Sequence, residues 1–186
     1  SSTPRPSACC GLAAKIFPRV SFDLIYARPG QTLAHWRAEL ARALAEQQGH
    51  MSLYQLTIEP GTAYFDLHAK GSLVTPNEDR AADLYDVTQE LTEAAGLPAY
   101  EISNHARQGH ESQHNLLYWR YGEYAGAGPG AHSRLADGEM RRALIVAKNP
   151  ESWRDRVQAQ GTGVIAAIAV SPAEQASAYH LMGLRI

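Results

Sequence analysis

The sequence predicts an α/β fold in which strands and amphipathic helices alternate. Three observations carry this. A β-branched and aromatic run, Val20 to Tyr26, is ended by Pro29-Gly30. Leu33, Trp36, Leu40 and Leu44 then recur at helical spacing, and a second apolar run follows. That β-α-β order, with short connections, favours parallel strands and a right-handed crossover.

The elements follow in order. Residues 1–12 are rich in Pro and Ser with no period, so they read as a disordered tail. Strand 20–26 leads to a helix over 32–47, which Gly49 stops. His50 to Ile58 is a second strand, ended by Pro60-Gly61. Thr75-Pro76-Asn77-Glu78 has the form of a capping box with proline at the first helical position. The helix it opens, 77–95, turns Leu84, Val87 and Leu91 inward and stops at Gly96. Ala99 to Ser103 is a third strand, expected parallel to the first two. A short helix is expected over 111–121, and one or two short strands over 134–147. Asn149-Pro150 opens a helix through Trp153 and Val157. Ser171-Pro172-Ala173-Glu174 is a second capping box, whose helix is expected to run to Ile186.

Composition narrows the function. The 186 residues suffice for a domain of ordinary size with a real core. Hydrophobic content of 45% and charged content of 19% fit a soluble globular protein. A net charge of −2 lacks the basic footprint of a nucleic-acid binder. No apolar run approaches a membrane span, and the N-terminus shows no signal core. The two cysteines, Cys9 and Cys10, are adjacent, which suits neither a structural disulfide nor a metal site. A reducing cytoplasm is the expected setting.

The candidate site residues cluster at strand ends and around one glycine-rich loop. Asp23 sits mid-strand between Phe22 and Leu24, where a carboxylate needs a partner. It is either a ligand-facing acid at the C-terminal end of a parallel strand or a structural acid bonding to loop amides. Tyr54, Gln55 and Thr57 end the second strand and are site candidates or simple loop caps. His105 is a base, a ligand or a hydrogen-bonded core residue. His114 and Tyr118 stand at i,i+4 and share a helix face, with Trp119 adjacent. An imidazole can ligate haem iron and aromatic rings can stack on a macrocycle; alternatively the two aromatics anchor a core and His114 bonds to backbone. Gly126-Ala-Gly-Pro-Gly-Ala-His-Ser133 lacks the spacing of a dinucleotide fingerprint and reads as a tight turn beneath a bulky ligand.

Four motifs in order carry a resemblance. They are Asp-Leu-Ile-Tyr-x-x-Pro-Gly-Gln-Thr over 23–32, Ser-Leu-Tyr-Gln-Leu-Thr-Ile-Glu-Pro-Gly-Thr over 52–62, Tyr-Glu-Ile-Ser-Asn-x-Ala-Arg over 100–107, and His-Asn-x-x-Tyr-Trp through Gly-x-Gly-Pro-Gly-Ala-His-Ser over 114–133. Together they resemble the coproporphyrinogen-dehydrogenase-like radical SAM family, in its HemW-type haem-chaperone branch. The likeness runs from about residue 13 to 186. It implies a partial radical SAM (β/α) barrel over 13–133 and the beginning of a small, mostly helical C-terminal domain over 134–186. It also implies a longer parent that binds S-adenosylmethionine on a [4Fe–4S] cluster held by Cys-x-x-x-Cys-x-x-Cys. By motif position, Asp23 and Thr57 match contacts to S-adenosylmethionine, and His114, Tyr118 and Trp119 fall in the haem-chaperone signature. The implied partners are haem or porphyrin and haem-accepting respiratory proteins.

Departures from the family pattern shape the expectation. Cys9-Cys10 has neither the spacing nor the context of the cluster loop, and the Gly-Gly-Thr-Pro cofactor segment is missing. Three thiolates cannot come from two adjacent cysteines, so radical generation by this chain alone has no chemical basis. Ala27-Arg28 stands where the family's turn has Gly-Leu. The chain therefore reads as the second half of the barrel, truncated, with no catalytic residue of its own. An oxygen-independent coproporphyrinogen III oxidase and a non-catalytic remnant are the alternatives. A half barrel would leave a sheet edge unpaired, so association into a dimer is an expectation too.

Overall fold

The computed structural model describes residues 6–138 and 140–186. They fall into two compact units, divided between Ser112 and Gln113. The boundary expected at 133/134 lies within a strand of the second unit.

The first unit begins with α1 (Pro6–Ile16), over part of the segment read as a tail. Alanine, leucine and lysine are good helix formers, and the proline lies in the first turn, where it is tolerated. Residues 1–5 lie outside the described residues. Then come β1 (Ser21–Tyr26), α2 (Leu33–Glu46), β2 (His50–Gln55), α3 (Ala63–Ala69), α4 (Glu78–Ala94), β3 (Ala99–Glu101) and β4 (Asn104–Ala106). The strands form one sheet in the order β1-β2-β4-β3. β1 and β2 are parallel, with Asp23 opposite Ser52, as the β-α-β pattern predicts.

The third strand corrects the expectation. The stretch 99–103 is not a parallel neighbour of β2: β3 and β4 form an antiparallel hairpin, and β4 pairs antiparallel with β2. A tight turn at Ile102-Ser103, stabilised by Glu101 accepting from the Ser103 amide at 2.8 Å, reverses the chain where one straight strand was expected. The second strand also stops early, at Gln55, so Thr57 lies in the loop beyond it. The cap of α4 is Asn77, not Thr75: Asn77 accepts from the Arg80 amide.

One face of this sheet carries the core. Tyr26, Met51 and Leu53 meet Trp36 and Leu40 of α2 and Leu84 and Val87 of α4. The Tyr26 and Trp36 rings stack at 5.3 Å, and the Trp36 indole donates to Thr88 Oγ1 at 2.9 Å in the buried interior.

The second unit holds α5 (Gln113–Trp119), β5 (His132–Asp137), β6 (Met140–Val146), α6 (Pro150–Gln160), β7 (Val164–Val170) and α7 (Pro172–Gly183). β5, β6 and β7 form an antiparallel sheet, so this part is less dominated by helices than expected. Asn149 caps α6 and the Ser171–Glu174 capping box opens α7, both as predicted. α7 ends at Gly183, before the chain does. Among the described residues, no helix is long and apolar enough to cross a membrane.

Candidate functional site

The sheet face opposite the core carries a polar group at one end, with the exposed Ile25 and Tyr54 beyond it. Because side chains alternate along a strand, the pairings Ser21 with His50, Asp23 with Ser52 and Ser52 with Asn104 put these groups on one face. His50, Ser52, Glu101 and Asn104 are all buried, while Asp23 is exposed. Buried polar groups on this scale need partners. Ser21 Oγ lies 2.6 Å from His50 Nδ1, and His50 Nε2 lies 2.8 Å from the Tyr100 hydroxyl. That hydroxyl accepts the Ser112 amide N–H at 3.2 Å. A consistent proton assignment has Tyr100 donating to Nε2 and Nδ1–H donating to Ser21. Burial lowers the His50 pKa, against a smaller upward pull from Asp23.

Asn104 shows the site's unmet demand. Its Nδ2 donates to Glu101 Oε1 at 2.6 Å, but its buried Oδ1 accepts nothing from the described residues. With the Ser52 hydroxyl and the Asp23 carboxylate, it makes an acceptor-rich face suited to a ligand that carries ammonium or hydroxyl donors. Of the two cofactor contacts implied by motif position, Asp23 lies on this face and Thr57 is exposed in the following loop. Ser21 and His50 escaped sequence reasoning, and Tyr100 and Asn104 stood out only as members of the 100–107 motif, without a role of their own. The only available signal was the placement of polar residues at alternate positions of β1 and β2. His105 points the other way: it is 1% exposed, and burial pushes its pKa down to about 4, so it is a neutral core residue.

The second unit holds the aromatic group. α5 places His114 and Tyr118 one turn apart, their rings edge-to-face at 4.7 Å. Tyr124, which sequence reasoning missed, packs its ring 4.3 Å from that of Tyr118. His114 is exposed, so its imidazole is accessible and braced from one side. Trp119 does not join these rings. The Arg185 guanidinium lies 4.3 Å from its ring centroid, and its buried indole N–H finds no acceptor among the described residues. The glycine-rich loop closes on itself: a Cβ on Gly126 would sit 2.2 Å from the His132 carbonyl oxygen. The close approach is to the chain's own backbone, and the Gly126 amide donates to buried Ser133 Oγ at 3.0 Å.

No group of three His, Cys, Asp or Glu able to hold a metal occurs among the described residues.

No family model matches the chain. It is 39% identical over 178 residues, 93% of its length, to the mitochondrial radical S-adenosyl methionine domain-containing protein 1 of Bos taurus. It is 36% identical, over 96% of its length, to the haem chaperone HemW of a Synechocystis strain, and 42% identical over 119 residues to that of Bacillus subtilis. The chain spans 40% of the bovine protein and 43% of the Synechocystis one. In fold it is similar to the coproporphyrinogen III oxidase HemN of Escherichia coli, a radical SAM enzyme. The TM-score is 0.75 at 18% identity, over 96% of this chain and 43% of that one. The ordered motifs and the shared fold lead to one assignment: over the length it spans, the chain belongs to the HemW-like branch of the radical SAM family.

Proposed function

We propose that this chain is the haem-presenting portion of a haem chaperone that passes haem to respiratory haem proteins. The observation that carries the reading is the exposed His114 imidazole, braced by Tyr118 and Tyr124 on α5 and the segment after it. A histidine nitrogen is a competent iron donor, and the tyrosine rings offer apolar surface to a macrocycle. Trp119 contributes to this role by anchoring α5 through its contact with Arg185 rather than by stacking.

The polar sheet face is our candidate for part of a site for S-adenosylmethionine. That molecule carries both an ammonium and ribose hydroxyls, and Asp23, Ser52 and Asn104 Oδ1 offer the matching acceptors. An iron–sulfur cluster does not fit this chain's residues. Two cysteines cannot supply three thiolates. The competing reading, an oxygen-independent coproporphyrinogen III oxidase, draws on likeness of fold, whereas the His-Asn-x-x-Tyr-Trp segment favours the chaperone.

Haem titration of the intact protein, of His114→Ala and of Trp119→Phe tests the reading, with folding checked by circular dichroism. His114→Ala is expected to shift the Soret band and weaken binding by at least about tenfold, the scale seen even for residues that merely orient metal ligands. A folded His114→Ala protein with unchanged Soret band and affinity refutes the role of this imidazole.

A further inference from the structure

The second unit contains a cavity of about 340 Å³, at the lower end of the range for ligand pockets. Tyr118, Tyr121, Tyr124, Arg134, Arg141 and Glu174 are among its lining residues. Three features set its chemistry.

The first is charge. Neither arginine forms an ion pair among the described residues, whose ion pairs involve other groups. Glu174 Oε2 accepts from the Ser171 amide and hydroxyl at 2.8 and 2.7 Å, which keeps its carboxylate ionised, and the two guanidiniums still leave the lining with an excess of positive charge. The second is an unmet donor. Arg141 gives one Nη to the Gly122 carbonyl, but its Nε–H is buried and finds no acceptor among the described residues. Such a donor is costly to leave unmade, and a carboxylate meets a guanidinium in a planar, paired geometry. The third is rigidity. The guanidinium carbon lies 3.9 Å from the Tyr121 ring centroid, and Tyr121 holds a φ of 56°, a left-handed backbone rare for a residue with a side chain. Its amide donates to the Tyr118 carbonyl at 2.9 Å, so the turn that aims the ring is tied to α5.

We infer that this cavity receives a carboxylate carried on a flat aromatic ligand, with Arg141 as the principal donor and Arg134 adding charge. For a porphyrin the group is a propionate side chain. The inference rests on the haem reading through Tyr118, which belongs both to the cavity wall and to the ring group beside His114.

Metal-free protoporphyrin IX and its dimethyl ester separate carboxylate recognition from iron ligation. Their binding to the intact protein is followed by fluorescence. The free acid should bind at least about tenfold more tightly than the ester, the effect of hydrogen bonds to a charged group. Arg141→Met should erase that preference with the circular dichroism spectrum kept, and Arg141→Lys should keep only part of it, having charge without the planar fork. Equal affinity for acid and ester in the unsubstituted protein overturns the inference, and this comparison needs no variant to fold. A preference that survives in folded Arg141→Met overturns it as well. If haem still binds with a His114-dependent Soret band while acid and ester bind alike, the cavity assignment falls and the haem reading stands. If neither haem nor porphyrin binds, both fall.

Discussion

His105 makes the fold acid-sensitive. Its ring sits in β4 at 1% exposure, with Nδ1 buried without a partner among the described residues and Nε2 3.3 Å from the Gln89 amide nitrogen. Burial is the main cause of its low pKa; His50 adds to the shift, and Glu101 opposes it. In the unfolded chain the imidazole titrates near its ordinary 6.5, in the folded state at about 4. Between those values the unfolded state binds more protons, so stability falls as pH falls. The effect is absent above about pH 6.5, grows below it and is complete near pH 4. At roughly 1.4 kcal/mol per pH unit, the gap corresponds to about 3 kcal/mol, a large share of a small domain's stability. Burial also lowers the His50 pKa, which acts in the same direction. His105→Leu isolates the contribution of the one ring. It removes a buried group with an unmet nitrogen and should change stability at pH 7 by less than about 1.5 kcal/mol. Urea unfolding at pH 7, 5.5 and 4 is the assay. The variant should lose about 3 kcal/mol less than the parent across that range. An equal loss in both proteins refutes the assignment of acid sensitivity to His105.

Three further substitutions test packing. Thr88→Val keeps shape but removes the acceptor of the Trp36 indole, and should cost about 1–3 kcal/mol in chemical denaturation. Thr92→Val is its control, because among the described residues that hydroxyl donates only to carbonyls of its own helix, and should change stability by under about 1 kcal/mol. Gly126→Ala forces a Cβ to within 2.2 Å of the His132 carbonyl oxygen and should cost more than about 2 kcal/mol. Thermal unfolding at an unchanged midpoint would show that the loop relaxes freely.

The legible parts of the fold were those with a period and a cap. Trp36, Leu40, Leu84 and Val87 were visible as helix faces and form the core. In the turn after β1, buried Ala27 holds a φ of 57°, a left-handed position that glycine would take without strain. What escaped notice lacked contrast. β7 is an unbroken run of Val, Ile and Ala, in which neither the strand nor the helix period stands out. α3 buries no residue, so no apolar stripe announces it. The β3–β4 hairpin is two three-residue strands, too short for any periodic signal, and its turn depends on a Glu101 side chain that propensity does not register.

The candidate sites were legible in proportion to how local they are. His114 and Tyr118 are neighbours by helix geometry alone, so one turn of spacing sufficed to pair them. Tyr124 joins them only because the chain turns back after Tyr121, and Arg141 joins the cavity only because β6 lies beside β5. The polar face of the first sheet is the same case on a larger scale. Ser21, His50 and Asn104 are far apart in sequence, and only the registers Ser21 with His50 and Ser52 with Asn104 collect them. The expected third strand, 99–103, stopped short of Asn104, so no register set that residue opposite Ser52. The antiparallel β4 instead sets Asn104 opposite Ser52, on the face where its unmet carbonyl makes a demand that a ligand can answer.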